Sequence, residues 1–365
     1  MLMVMKSLVI ATSGGDAPGM NAAVRAVVKL AASRGIAAHG AVDGFDGLVH
    51  GNFRELTRRM GADVVPIGEL EGASRLGGSL LGTARSERFA TSGGRERAAF
   101  HLREHEALVV IGGNGSLTGA HILGQESGVR VIGIPASIDN DVGCTSFCIG
   151  VDTALNTIVE ACDRIFDTAS AHRRAFVVEV MGRECGYLAM ASAIAVEADA
   201  VLFREQGLSN EDVLASLEQT VTRCFDPARG KKRALIIKAE GVRMSTPDIV
   251  DALQARLDDS THRGASVRAT ILGHLVRGGN PSYRDRMLAG RFALGAMEAL
   301  DRGGRDELIA WQPFGGVGEA TADPRVRRVP LALALAETAR LLDGTSEVTR
   351  RRVLMMQRLE SVLSL

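Results

Sequence analysis

Short, unbroken apolar runs alternate along this chain with longer amphipathic stretches. Runs rich in Val and Ile recur at Ser7–Thr12, Leu108–Ile111, Val131–Ile134, Phe176–Val180 and Leu235–Lys238. Such runs read as buried strands, and the helical segments between them favour parallel βαβ units in an α/β fold. The clearest helical period covers Asp152–Ala171, where Leu155, Ile158, Val159, Cys162, Ile165 and Phe166 recur on one face. Asp152 is the expected N-cap, and the apolar stripe should pack on a sheet while Glu160, Asp163 and Asp167 face water. A second helix is expected to begin near Ala17 or Pro18 and to stop at Gly35, its N-terminus pointing at a glycine loop. GVRMSTPD and DDSTHRGAS read as exposed connections.

Length and composition narrow the class. A chain of 365 residues with 46% hydrophobic content exceeds the usual single domain and can bury two cores. Forty-two glycines against nine prolines, with 4% aromatics, suit a loop-rich α/β enzyme. Lys plus Arg equals Asp plus Glu at 43 each, so no overall field points to nucleic acid or an anionic membrane. Cys144, Cys148, Cys162, Cys185 and Cys224 are odd in number and lack CxxC spacing, which argues for reduced thiols over a disulfide framework or a structural zinc. The opening MLMVMKSLVIAT reads as a first strand and not as a signal peptide. The apolar run Leu188–Phe203 is broken by Glu197 and Asp199, which argues against a membrane span. A cytoplasmic protein is expected.

Two of the strands open into loops suited to chemistry. Val131–Ile134 runs into PASIDND (Pro135–Asp141), and Leu108–Ile111 into GGNGS (Gly112–Ser116). Acceptors at the carboxyl end of a buried strand lie where open α/β sheets bind ligands, and a glycine loop lets backbone N–H groups approach a phosphate closely. Asp139 is the candidate general base. Taken alone it reads more readily as closing an Asx-turn.

Together with TSGGDAPGMNAAVR (Thr12–Arg25), VVEVMGRECG (Val177–Gly186) and LGHLVRGGNP (Leu272–Pro281), these loops resemble the 6-phosphofructokinase family, bacterial ATP-dependent type. The likeness runs from about residue 7 to about residue 295 with the blocks in family order, and the last seventy residues match loosely. It implies two Rossmann-like domains with parallel-rich sheets flanked by helices, the second domain smaller. The nucleotide-binding domain would comprise residues 1–150 plus about 277–333, and the sugar-phosphate domain about 151–276 plus 334–365.

The implied activity is phosphoryl transfer from ATP to O1 of fructose 6-phosphate, a kinase step of glycolysis assisted by Mg2+, in an allosteric homotetramer. Residue by residue, the resemblance makes Asp139 the base, beside Ser137. Gly15 meets the transferred group, and Arg183 offsets its charge. Asn114 and Asp141 would hold the metal. Phe45, Arg85, Ser86, Gly113, Asn114, Gly115, Ser116 and Gly119 would surround the nucleotide with Gly15. Arg183, Met181, Gly182, Glu240, His274 and Arg277 would bind the sugar phosphate with Ser137 and Asp139. Arg174 and Arg268 would reach a neighbouring subunit's 6-phosphate.

Three positions depart from the pattern or bear on the donor. The phosphate loop has Asn114 where the family has aspartate, which removes a charge that attracts magnesium and leaves open a catalytically weak, regulatory homologue. Gly115 and Ala136 stand where pyrophosphate-dependent relatives carry aspartate and lysine, so small residues favour ATP. Arg25 and GKKR (Gly230–Arg233) resemble parts of a bacterial effector site, although Phe166 falls where that site usually has an arginine. GKKR reads equally well as a solvated loop.

Overall fold

The computed structural model describes residues 5–259 and 265–363. The chain folds into two compact units. The larger combines residues up to Thr153 with Arg277–Ala339, and the smaller combines Ala154–Val276 with the residues from Arg340 onward. In chain order the strands are β1 (Ser7–Ser13), β2 (Ala37–Ala41), β3 (Phe53–Glu55), β4 (Thr57–Met60), β5 (Asp63–Pro66), β6 (Ala107–Gly112), β7 (Val131–Pro135), β8 (Arg174–Val180), β9 (Ala200–Leu202), β10 (Ala234–Ala239), β11 (Ser266–Ile271), β12 (Glu307–Trp311), β13 (Glu319–Ala320) and β14 (Val326–Pro330). The helices are α1 (Met20–Ala32), α2 (Phe45–His50), α3 (Ser92–His101), α4 (Asn114–Ser127), α5 (Val151–His172), α6 (Tyr187–Ala195), α7 (Asn210–Cys224), α8 (Thr246–Asp259), α9 (Tyr283–Asp301), α10 (Leu331–Asp343) and α11 (Glu347–Leu363).

The larger unit is built on an eight-stranded sheet of order β13-β14-β12-β7-β6-β1-β2-β3. Strands β12, β7, β6, β1 and β2 run parallel, and antiparallel β3 and β14 flank them. Every residue of β6 and β7 is buried, which is why their sequences are apolar without alternation. The smaller unit holds a four-stranded, all-parallel sheet of order β11-β8-β10-β9. Val177, Ile236, Leu217, Val221, Ile249 and Leu253 join α7, α8 and this sheet in one apolar cluster.

Each expected strand is present, extended by a residue or two at its ends. Helix α5 follows its predicted period, with Ile158 and Cys162 buried, Leu155, Val159, Ile165 and Phe166 half-buried, and Glu160, Asp163 and Asp167 exposed. Burial pushes the Cys162 and Cys224 thiols up to about 12, as expected of inert packed cysteines. GVRMSTPD is not a plain connection, because α8 begins inside it at Thr246. Ser245 accepts from the Asp248 N–H at 3.3 Å and so caps the helix. Of DDSTHRGAS, residues 260–264 lie outside the described residues, as do residues 1–4 of the expected first strand. Among the described residues no helix is long and apolar enough to cross a membrane.

Candidate active site

Three loops leave neighbouring strands at the carboxyl edge of the larger sheet. Ser13 pairs with Gly112, and Gly112 with Pro135. The turn after β1, the Gly113 step before α4 and the loop after β7 therefore start side by side. Strand β1 has β2 on one side and β6 on the other, the reversal of strand order at which open α/β sheets bind ligands.

The turn after β1 depends on close approach. Gly19 has a left-handed φ of 109°, and a Cβ there would stand 2.6 Å from Ile149 Cγ2, so a side chain would push the first loop off the third. Gly15 is exposed. The Arg277 guanidinium lies against it, with Nη1 donating to the Asp16 carbonyl at 3.1 Å and standing 2.9 Å from where a Gly15 Cβ would be. Arg277, expected among the sugar-phosphate residues, thus belongs to the larger unit and lies against the turn after β1. Helix α4 starts at Asn114 and turns its N-terminal N–H groups and positive dipole end toward the same edge.

The loop after β7 is fixed by its own side chains. Asn140 takes a left-handed φ of 50°, which asparagine tolerates. Its amide donates to the Ser146 carbonyl at 3.1 Å and accepts from the Cys148 N–H at 3.0 Å. Asp285, fully buried on α9, accepts from the Gly150 N–H at 2.9 Å, the Thr153 N–H at 2.8 Å and the Thr153 hydroxyl at 2.5 Å. Burial raises the Asp285 pKa while these bonds pull it back. The carboxylate that caps the start of α5 is therefore Asp285, and Asp152, expected in that role, sits within the first turn. On this frame Ser137 and Asp139 are half-buried, and the Ser137 hydroxyl donates to Asp141 Oδ1 at 2.8 Å.

The donors expected to hold magnesium are hard oxygens. Asp141 offers a carboxylate and Asn114 an amide oxygen, which accepts weakly from the Thr118 hydroxyl at 3.4 Å. A Cβ on Gly113 would stand 3.4 Å from Ser137 Cβ, so the residue before Asn114 and the partner of Asp141 are in contact. Among the described residues no group of three or more His, Cys, Asp or Glu forms a metal cage. One carboxylate beside a phosphate loop suits Mg2+, which keeps waters and binds through phosphates.

Several expected nucleotide residues prove to be packed. Phe45 is buried, 6% exposed, and stacks on Phe89 with ring centroids 4.1 Å apart. A Cβ on Gly119 would stand 3.0 Å from both rings, so this glycine clears space for aromatics. The Ser86 hydroxyl donates to Asp46 and accepts from the Phe89 N–H at 3.2 Å. Arg85 is exposed. Open space surrounds Gly115, whereas Ala136 is fully buried and bridges to Ile149.

In the smaller unit the carboxyl ends of β8, β10 and β11 carry Met181–Arg183, Glu240 and His274 respectively. Gly182 has a φ of 123°, and a Cβ would stand 2.5 Å from the Cys185 carbonyl oxygen. Gly241 presses on the Arg183 backbone, since a Cβ there would stand 2.0 Å from the Arg183 carbonyl oxygen. Beneath these loops lies an ion pair that the sequence reading missed. Lys238, 1% exposed, donates to Glu179 at 2.9 Å, and the Thr246 hydroxyl donates to the same carboxylate. Two opposite charges inside adjacent apolar strands, ALIIKA and FVVEV, were the available signal.

Arg174 is the first residue of β8. It stands at the amino end of the strand, roughly 20 Å of extended chain from Val180. Arg268 is exposed on the edge strand β11, opposite Phe176. GKKR is more than a solvated loop. Lys231 pairs with buried Asp199, and the Arg233 guanidinium lies 3.0 Å from the Phe166 ring centroid.

Residues 7–300 match the family model described as phosphofructokinase. The chain is 44% identical over 310 residues to the ATP-dependent 6-phosphofructokinase of Thermotoga neapolitana, covering 84% of this chain and 90% of that one. It is 39% identical over 340 residues to the enzyme of that name from Brevibacillus brevis, covering 93% and 99%. Among solved structures, phosphofructokinase from Pichia pastoris in its T-state superposes with a TM-score of 0.83 at 30% identity over 98% of this chain, which spans 40% of that longer protein. A pyrophosphate-dependent phosphofructokinase from Marinobacter aquaeolei shares the fold at a TM-score of 0.70, 18% identity, 90% of this chain and 84% of that one.

Proposed function

Because the chain belongs to the phosphofructokinase family, we propose a division of labour among its residues in the phosphoryl transfer. The protein is a phosphotransferase that moves a phosphoryl group from ATP to fructose 6-phosphate in glycolysis. Asp139 takes the proton from the sugar's 1-hydroxyl as that oxygen attacks the terminal phosphorus. The bond from phosphorus to the bridging oxygen of ADP breaks in the same displacement. The Gly15 N–H and the Arg183 guanidinium offset the charge on the transferred group.

The carrying observation is the register of β1, β6 and β7, which starts the Gly15, Gly113 and Asp139 loops at one edge. Nucleotide phosphates would meet the Gly113–Ser116 turn and exposed Arg85, with Phe45 as a wall behind. Asn114 and Asp141 would hold Mg2+, which when bound neutralises phosphate charge. In the smaller unit Met181, Gly182, Glu240 and His274 would recognise the sugar. Arg277, against Gly15, would bind phosphate from the larger unit.

The position of Arg174 at the amino end of β8 supports the expectation that Arg174 and Arg268 serve another copy of the chain. Exposed Ile271 on β11 and Leu275 just beyond it suit a covered face, in keeping with a homotetramer. We place the enzyme in the cytoplasm with its substrates. A second reading, transfer from pyrophosphate, is opposed by Gly115 and Ala136, which stand where pyrophosphate-dependent relatives carry aspartate and lysine. A donor panel with fructose 6-phosphate and Mg2+ tests both. Turnover with ATP and little with pyrophosphate is expected, and the reverse order would replace this reading with the second.

A further inference from the structure

Helix α11 lies beyond residues 7–300, the part matched by the family model. It nonetheless packs in the smaller unit on the turn that carries Arg183. The Arg352 guanidinium stands 4.6 Å from the Tyr187 ring centroid, and its Nη1 is 3.9 Å from Cys185 Sγ. Cys185 is buried, and Tyr187 opens α6. The rest of the turn is tied to the short 3-10 segment Arg204–Gln206. Glu184 pairs with Arg204, and Glu205 accepts from the Gly186 N–H at 2.8 Å.

Beside these contacts runs a cleft of about 430 Å³, lined among others by Glu184, Glu205, Arg350 and Val353. Arg352 makes two contacts on the turn, one with Tyr187 and one with Cys185. Arg183 itself is exposed. The Gly241 contact fixes its backbone on one side, so its aim depends on how firmly Gly182–Tyr187 is held on the other.

We propose that Arg352 is a positioning residue: by lying over Tyr187 and reaching Cys185 it fixes the Gly182–Gly186 turn and so aims the Arg183 guanidinium. This rests on the reading of Arg183 as the group that offsets charge on the transferred phosphoryl. A cation stacked on a tyrosine is a directional contact, and small displacements of a catalytic group cost rate more than they cost binding. The C-terminal helix thereby becomes part of the rate apparatus without touching substrate.

The test is steady-state kinetics on the full-length enzyme with thermal melts of each variant. Arg352→Ala should lower kcat by roughly tenfold while both KM values stay within about twofold. Arg352→Lys, which keeps the charge without the planar stack, should recover part of the loss and guards against a folding failure in the alanine variant. Tyr187→Leu should match Arg352→Ala, and the double variant should be no worse than either, as expected of one coupled unit. Arg183→Ala is run alongside. If it loses turnover while Arg352→Ala keeps wild-type kcat, the role of Arg183 stands and the positioning role is overturned. Full additivity of Arg352 and Tyr187, or a loss confined to KM, overturns it too. If Arg183→Ala keeps its kcat, the premise fails and the positioning role falls with it.

Discussion

The loop that carries Asp139 and the turn that carries Arg183 both follow a parallel strand, yet they are held in opposite ways. The first is locked from within: Asn140 bonds two backbone groups of its own loop, and Asp285 caps its end from a buried position. The second presents an exposed arginine, and its fixings come from outside, through Arg204, Glu205 and Arg352. A base that must lie within hydrogen-bond reach of one hydroxyl gains from a frame that cannot adjust. A group that meets a spread charge can be set by contacts that yield. Substitutions in the first region should therefore break chemistry outright, and those in the second should grade it.

The sharpest contrast comes from Asp139→Asn. The amide keeps the shape but accepts no proton, so turnover should fall by about two to four orders of magnitude with fructose 6-phosphate binding nearly unchanged. Kinetics beside a binding titration decide it, and a variant that keeps about a tenth of wild-type turnover removes Asp139 from the base role.

Next in size is Asp285→Ala, which strands the Gly150 and Thr153 N–H groups in the interior. A loss of about 3 kcal/mol is expected for two buried donors left without acceptors, read by denaturant unfolding, and kcat should drop as the base loop loosens. Unchanged stability would show that the loop's own bonds suffice. His274→Ala, on the segment that follows β11 in the smaller unit, should raise KM for fructose 6-phosphate about tenfold with kcat nearly kept. A pure kcat effect of His274→Ala would remove it from sugar binding. The smallest effect belongs to Asn114→Asp, which should lower the Mg2+ needed for half-maximal rate by a few-fold, since a carboxylate holds a hard cation better than an amide. Identical titrations would mean that Asp141 and the nucleotide carry the ion unaided.

What the sequence revealed follows the same division. Strands β1, β6, β7, β8 and β10 were legible because burial on both faces removes alternation and leaves plain apolar runs. Strand β2, AAHGA, was not, since alanine and glycine carry little strand signal, and β11 bears Arg268 on an exposed edge. Local features could have been read further: Ser245 and Asp248 spell a helix start, and Lys238 in an apolar strand implies a buried partner. Asp285 could not be read, because its role exists only once α9 has brought it to the start of α5. Phe45 and Gly119 show the opposite case. The resemblance pointed them at the nucleotide, and only the fold reveals their packing against Phe89.

A strand has a direction, and Arg174 stands at the end of β8 away from Met181, Gly182 and Arg183. No rotamer of one arginine spans that length. On the proposed sharing, each complete sugar-phosphate site is assembled from two chains, and specific activity becomes a function of dilution. Below the dissociation constant of the assembly it should decay toward zero with affinity for fructose 6-phosphate failing first, and the sugar phosphate itself should hold the particles together by mass action.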